Sequence, residues 1–302
     1  MWFKNLLLYR LTEPFTVSAE TLTQQLEAQR FQPCAAQQLE SIGWTSPLGR
    51  QHDVLLHSSN GFHMVCARTE EKVLPTAVVS ELWQERIAER EDAQGYKLAR
   101  KERTDIKDEV IFELLPKAFS FSRTTYAYID SRQGWLVVDA ASSQKAEKLL
   151  HLLRISMGSL PVVPLSTVNN PVTVMTQWLA APDSAAADVE IEDECELRGE
   201  EGGIVRCKRH DLSAPEIKNH LQNGKQVTKL ALTYADKLGF VLDEQLTLKR
   251  LKFLDTVQDR ADDIEGDDEV ARFDADFSIM TLELAELLPR LTELFGGEQT
   301  RA

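Results

Sequence analysis

A chain of 302 residues, 27% charged and 43% hydrophobic, can bury a large core, and this balance excludes disorder of the whole. Its 34 basic and 48 acidic residues leave a net charge of −14, a summed field that repels polyanions. Four cysteines are too few for a disulfide scaffold, no stretch nears the roughly 20 apolar residues of a membrane span, and "MWFKNLLLYRL" is too interrupted for a signal peptide, so a soluble cytoplasmic protein is expected.

In chain order, apolar alternation over Trp2 to Leu11 predicts a strand, and "SAETLTQQLEAQRF" predicts a helix capped by Ser18 with Leu22 and Leu26 inward. Asn60-Gly61 between two apolar runs predicts a hairpin. From Thr76 to Leu115 helix formers predominate, broken at Gly95, and the sparse apolar positions predict two helices that project from the core. "FSFSRTTYAYID" and "GWLVVDAAS" predict a second hairpin, followed by a helix that stops at Gly158.

Three prolines in "SLPVVPLSTVNNP" predict a rigid crossover to a second α+β unit. There, Ser213 and Glu216 have capping-box spacing, with Pro215 in the first turn and Gly224 as the stop. "GGIVRCKRH", "KQVTKLALTYA", "LGFVL" and "QLTLKRLKFLD" predict strands. The C-terminal "SIMTLELAELLPRLTELF" predicts a long helix with Met280, Leu284, Leu287, Leu288, Leu291 and Phe295 inward.

Charge is segregated along the sequence. Ile204 to Lys252 carries ten Lys or Arg against five acids, flanked by the acidic runs Asp188 to Glu201 and Asp255 to Glu269. Exposed charges beyond a Debye length of about 8 Å are largely screened, so a local basic surface can attract phosphate on an acidic protein. The bland alternative is a solvated sheet face.

In "KAFSFSR", strand alternation would set Lys117, Phe119, Phe121 and Arg123 on one face, as a buried strip with charged ends, a subunit contact or a base-stacking platform. A duplex keeps its bases inside, so with that partner the phenylalanines must pack or join subunits.

Enzymatic readings are thinner. "DDIEGDDE" fails the calcium-loop pattern by position, since Ala261 and Arg272 would fall at ligand places, and reads as a solvated loop. Asp274 and Asp276 in "RFDADF" could hold a metal or complement the start of the helix that follows. Cys207 with His210, or Cys66 with His63, lacks an orienting third group, and no phosphate-binding glycine loop occurs.

Over nearly the whole chain, "WFKNLLLYRL", "DEVIFELLPKAFSFSRTT", "LLRISMGSLPVVPLS", "VTKLALTYADKLGFVL", "LKRLKFLD" and "RFDADFSIMTLELAELL" follow one another in an order that resembles the RdgC family of bacterial recombination-associated proteins. The resemblance implies an elongated α+β subunit with mixed or antiparallel sheets, a projecting helical arm and a ring-shaped homodimer. It also implies sequence-independent binding of double-stranded DNA, restraint of RecA-driven strand exchange, association with the nucleoid, no cofactor and no catalysis.

On this reading Lys97, Arg100, Lys101, Lys117, Arg123, Lys208, Arg209, Lys249, Arg250 and Lys252 are expected to contact phosphates, and Phe119, Phe121 and His210 to lie at subunit contacts. Arg209 and His210 stand where the family pattern has Lys followed by Gln, a departure at His210 that a Gln-specific role would not tolerate. The expected parts are a central α+β region (1–75 and 118–165), a projecting helical region (76–117) and a basal α+β region (166–302). Rival readings are a single-stranded-DNA binder that stacks bases on Phe119 and Phe121, a metal-dependent nuclease built on Asp274 and Asp276, and a regulator that contacts RecA directly.

Overall fold

A computed structural model of the chain describes residues 1–262 and 268–299; the centre of the acidic run read as a solvated loop lies outside the described residues. In β1 (Leu6–Leu11), Leu6 and Leu8 face one way while Leu7, Tyr9 and Leu11 face the other. The Ser18 hydroxyl oxygen accepts the Thr21 N–H at the head of α1 (Ala19–Glu27), which buries Leu22 and Leu26. Next come β2 (Glu40–Thr45), β3 (Leu56–Ser59) and β4 (Phe62–Lys72). β3 and β4 turn on Asn60 and Gly61 at φ 50° and 79°, the pair of positive values that a tight two-residue hairpin needs.

The helical excursion is α2 (Thr76–Gln94), ended by left-handed Gly95, and antiparallel α3 (Arg100–Leu114). The two share a small core of their own around Val79, Leu98, Ile106 and Val110, and Arg86–Glu113 and Arg90–Glu109 pair across them. A 3₁₀ turn, Leu115–Lys117, then leads into β5 (Ser120–Asp130). Lys117 therefore precedes the strand: Pro116 has no N–H for a ladder, and the Leu115 carbonyl accepts the Ala118 N–H instead.

β6 (Trp135–Asp139) completes the second hairpin, and α4 (Ser143–Met157) stops at left-handed Gly158. The predicted crossover contains a short strand, β7 (Val162–Pro164), and its last residue opens an unforeseen helix, α5 (Pro171–Ala180), with Pro171 at its first position and the Asn170 side chain accepting the Val172 N–H. The acidic run Asp188 to Glu201 contains a further unforeseen strand, β8 (Val189–Arg198), paired with β9 (Ile204–Lys208).

α6 (Pro215–Gln222) begins without the expected capping box. Ala214 is the N-cap, the Ser213 hydroxyl donates to Asp211, and Glu216 meets His210. β10 (Gln226–Tyr234), β11 (Leu238–Asp243), β12 (Leu248–Phe253), α7 (Asp255–Asp262) and α8 (Glu269–Leu294) follow. All six inward positions predicted for the last helix, Phe295 included, are buried. Asp274 and Asp276 lie inside α8 and not ahead of it, because the helix already starts at Glu269 behind an Asp268 cap. Among the described residues no helix is long and apolar enough to cross a membrane.

The fold is α+β, and the twelve strands among the described residues join one open antiparallel sheet in the order β2-β4-β5-β6-β1-β12-β11-β10-β8-β9, with β3 on β4 and β7 on β1. On one face of the first half, α1 and α4 cover Tyr9, Val65, Ala127, Ile129 and Val138. The opposite face is apolar across both halves, where Phe3, Leu6 and Tyr128 share a core with Leu230, Leu242 and residues of α5 and α8. Burying each such side chain stabilises by roughly 1.5–3 kcal/mol, so this continuous core ties the halves together.

Candidate nucleic-acid interface

Strand register fixes which candidate cations share a face. Arg123 is two residues short of Thr125 and four short of Ala127, so it points to the α4 side of the sheet. In β1 that side carries Leu7 and Tyr9, and Leu6 on the other side pairs with Leu248, so Lys249 also points to the α4 side. Lys249 stands opposite Val241 and Val241 opposite Ala231; Lys252 stands opposite Gly239 and Gly239 opposite Thr233. Lys208 stands opposite Glu194. Arg123, Lys208, Lys249 and Lys252 thus come from distant parts of the chain to one face of the sheet. Arg250 sits at a bulge with φ 53°, which frees its side chain from strict alternation.

The segregation of charge along the sequence does not persist in space, because β8 brings its carboxylates in among the cations. Glu194 takes Arg250 at 2.7 Å and Lys208 at 3.7 Å, and Asp243 takes Lys249 at 2.7 Å. Glu196, almost wholly buried, accepts from Arg206 at 2.8 Å and Lys229 at 2.9 Å. Burial would raise its pKa, but those two partners and the Thr228 hydroxyl outweigh it and hold the carboxyl down at about 2. Seven candidates keep exposed charges with no salt bridge among the described residues: Lys97, Arg100 and Lys101 at the start of α3, Lys117 and Arg123 around the entry to β5, Arg209, and Lys252. The Arg123 guanidinium lies over the Phe121 ring, 4.8 Å from its centroid.

The phenylalanines of the strip are not core. Phe119 is 87% exposed and Phe121 36% exposed. β6 pairs with β5 only from Tyr126 onward, so Ser120 to Thr125 forms a free strand edge beside them, held on the other side by β4. His210 is half-buried, its Nε2 3.1 Å from Glu216.

The candidate catalytic pairs are engaged elsewhere. Two positions apart on α8, Asp274 and Asp276 diverge by about 200° around the helix; Asp274 meets His57 at 3.0 Å and Asp276 meets the Met1 ammonium. Burial pushes the Cys66 thiol up to about 12, beside Tyr126. Among the described residues, no group of three or more His, Cys, Asp or Glu side chains is placed to hold a metal ion. Sequence reading missed Glu194, Glu196 and Asp243 as the partners of the cations. The signal was present in "DVEIEDECELR", where acids alternate with Val189, Ile191, Cys195 and Leu197 at the period of a strand.

Residues 1–298 match the family model described as "Putative exonuclease, RdgC". The chain is 48% identical over 99% of its length, and 99% of the relative's, to the recombination-associated protein RdgC of Tolumonas auensis. It is 47% identical to the protein of that name from Aeromonas hydrophila, again over 99% of both, and 44% identical to that of Psychromonas ingrahamii over 99% of this chain and 100% of the relative. A match of this extent shows the family, and the chain belongs to the RdgC family.

Proposed function

We propose that this protein binds double-stranded DNA without sequence preference, encircles it as a ring-shaped homodimer, and limits RecA-mediated strand exchange by occupying the DNA. The observation that carries the reading is the set of seven exposed cations without a salt bridge among the described residues, on a chain of net charge −14, with the strand-borne Arg123 and Lys252 on one face of the sheet. An acidic protein that leaves these charges without salt bridges among the described residues has local sites for phosphate, whereas Glu194 and Asp243 pair with the other three candidates, Lys208, Arg250 and Lys249. Phosphate contacts of this kind position a duplex and read no bases.

In this reading the central region (1–75 and 118–165) and the basal region (166–302) supply the strand cations, and the helical region 76–117 supplies Lys97, Arg100 and Lys101. Phe119 and Phe121 make a subunit contact at one end and His210 lies near another. The protein acts in the cytoplasm on the nucleoid, and it has no catalytic step and no cofactor. The engagement of Asp274 by His57 and of Asp276 by the Met1 ammonium weighs against the metal-dependent nuclease reading.

Light scattering joined to a salt titration of duplex binding tests the proposal. A dimer mass is expected, together with a log–log salt slope of roughly −4 to −5 if about five phosphates are neutralised. A monomer at all concentrations, or a flat salt response, would overturn it. The exposure of Phe119 favours a second reading, base stacking of single strands, and competition between duplex and single strands at fixed salt separates the two. Cleavage of DNA with Mg²⁺ or Mn²⁺ would revive the nuclease reading.

A further inference from the structure

Cys195 on β8 and Cys207 on β9 stand directly opposite each other in an antiparallel ladder. The Gly199 N–H donates to the Gly203 carbonyl at the closed end of this hairpin. Hydrogen-bonded and non-hydrogen-bonded pairs alternate from there, so Cys195–Cys207, four residues along, belongs to the hydrogen-bonded class, with Cα atoms about 5.5 Å apart. That separation falls inside the range of roughly 4.4–6.8 Å that a disulfide spans. Both side chains face the core side of the sheet: Cys195 is 1% exposed within the large apolar cluster, and Cys207 packs half-buried against it. Burial and the neighbouring Cys207 thiol together push the Cys195 thiol up to about 12.

We infer that Cys195 and Cys207 form a reversible cross-strand disulfide site, closed by low-molecular-weight disulfides and opened by thiols. The accessible member attacks first. A Cys207 thiolate displaces one thiolate from the small disulfide and leaves a mixed disulfide on Cys207; the released thiolate takes up a proton. Cys195 attacks the Cys207 sulfur, the bond from that sulfur to the small thiol breaks, and the proton lost by Cys195 is taken up by the departing thiolate, which leaves as the second small thiol. The two cysteines are oxidised, the small disulfide is reduced to two thiols, and no oxygen atom enters. Burial keeps Cys195 from reacting with the oxidant directly but leaves it within reach of the Cys207 sulfur, so it acts as the resolving thiol.

The bond would staple β9, the last strand of the sheet, to β8. This assignment stands apart from DNA binding, since it rests only on the geometry of the hairpin.

The test treats the full-length protein with oxidised glutathione, alkylates the remaining thiols and maps peptides by mass. A linked peptide pair containing Cys195 and Cys207, lighter by two hydrogens and restored by dithiothreitol, is expected, together with slowed amide exchange over Ile204–Lys208. Cys195→Ala should trap glutathione on Cys207. Should that variant not fold, the wild-type map decides alone. A stable glutathione adduct on Cys207 with Cys195 still free, or no reaction at either, would overturn the inference.

Discussion

Arg250 on β12 reaches Glu194 on β8, Nη2 to Oε2 at 2.7 Å, although β11 and β10 lie between their strands. Three strand spacings put the two backbones about 14 Å apart in a flat sheet, so both side chains must lie along the surface to meet. What they cross is small. Val241 and Ala231 occupy the intervening positions, and both are buried although neither belongs to an apolar core cluster. The arginine stem and its partner supply that cover, as long charged side chains do over apolar surface.

This bridge makes Glu194 an internal competitor of phosphate, since the same carboxylate also faces Lys208. Glu194→Gln removes the negative charge and leaves both cations in place. Tighter duplex binding is expected, with a salt slope steeper by about 1 for each cation released to phosphate. Fluorescence anisotropy across a salt series measures both quantities. Weaker binding in the variant would place Glu194 outside the interface.

The start of α3 offers a cleaner set, because Lys97, Arg100 and Lys101 are exposed and without salt bridges among the described residues. Replacing all three by alanine should weaken binding equally for unrelated duplex sequences and make the salt slope shallower by roughly 2–3. Thermal stability should barely change, since surface substitutions of this kind usually stay within about 0.5 kcal/mol. An unchanged slope would remove this turn of helix from the interface.

Phe119 is too exposed to contribute to folding of the single chain, yet a free strand edge runs beside it. Phe119→Ser is therefore expected to leave the unfolding free energy of the single chain within about 0.5 kcal/mol of the parent while weakening self-association and speeding release from DNA. Analytical ultracentrifugation at falling concentration, with dissociation rates measured in parallel, separates these effects. A variant that associates and dissociates as the parent does would take Phe119 out of the subunit contact.

Local chemistry made much of the fold legible. Asn60-Gly61, the Gly95 and Gly158 stops and the apolar stripe of α8 each follow from the conformations their residues permit. Among the elements that escaped, β8 read as an acid run although its apolar residues alternate, and α5 went unread behind the prolines although Asn170-Pro171 is a helix start; β2, β7 and α7 were missed as well. The helix boundary at Glu269 was hidden by the acids before it, which displaced the reading of Asp274 and Asp276. The candidate site was legible as a set of cations and not as a surface. Pairing of Lys208 with Glu194 needs the β8–β9 hairpin that the acid run concealed, and pairing of Arg250 with Glu194 needs the register of strands more than fifty residues apart in the sequence.

The same register creates a pH dependence at Glu196. Its carboxyl, ordinarily near 4.5, is held at about 2 in the fold against the opposing effect of burial, through Arg206, Lys229 and Thr228. A group with a lowered native pKa stabilises the fold above its unfolded value, and that stability is lost as pH falls from about 4.5 toward 2. Each pKa unit corresponds to about 1.4 kcal/mol, and exposure of Arg206 to solvent reduces the sum to an expected ~2 kcal/mol. Urea midpoints of the parent and Glu196→Gln should differ most near neutrality and converge as pH drops through this window. A gap that persists undiminished at about pH 3 would trace the loss to packing instead of charge.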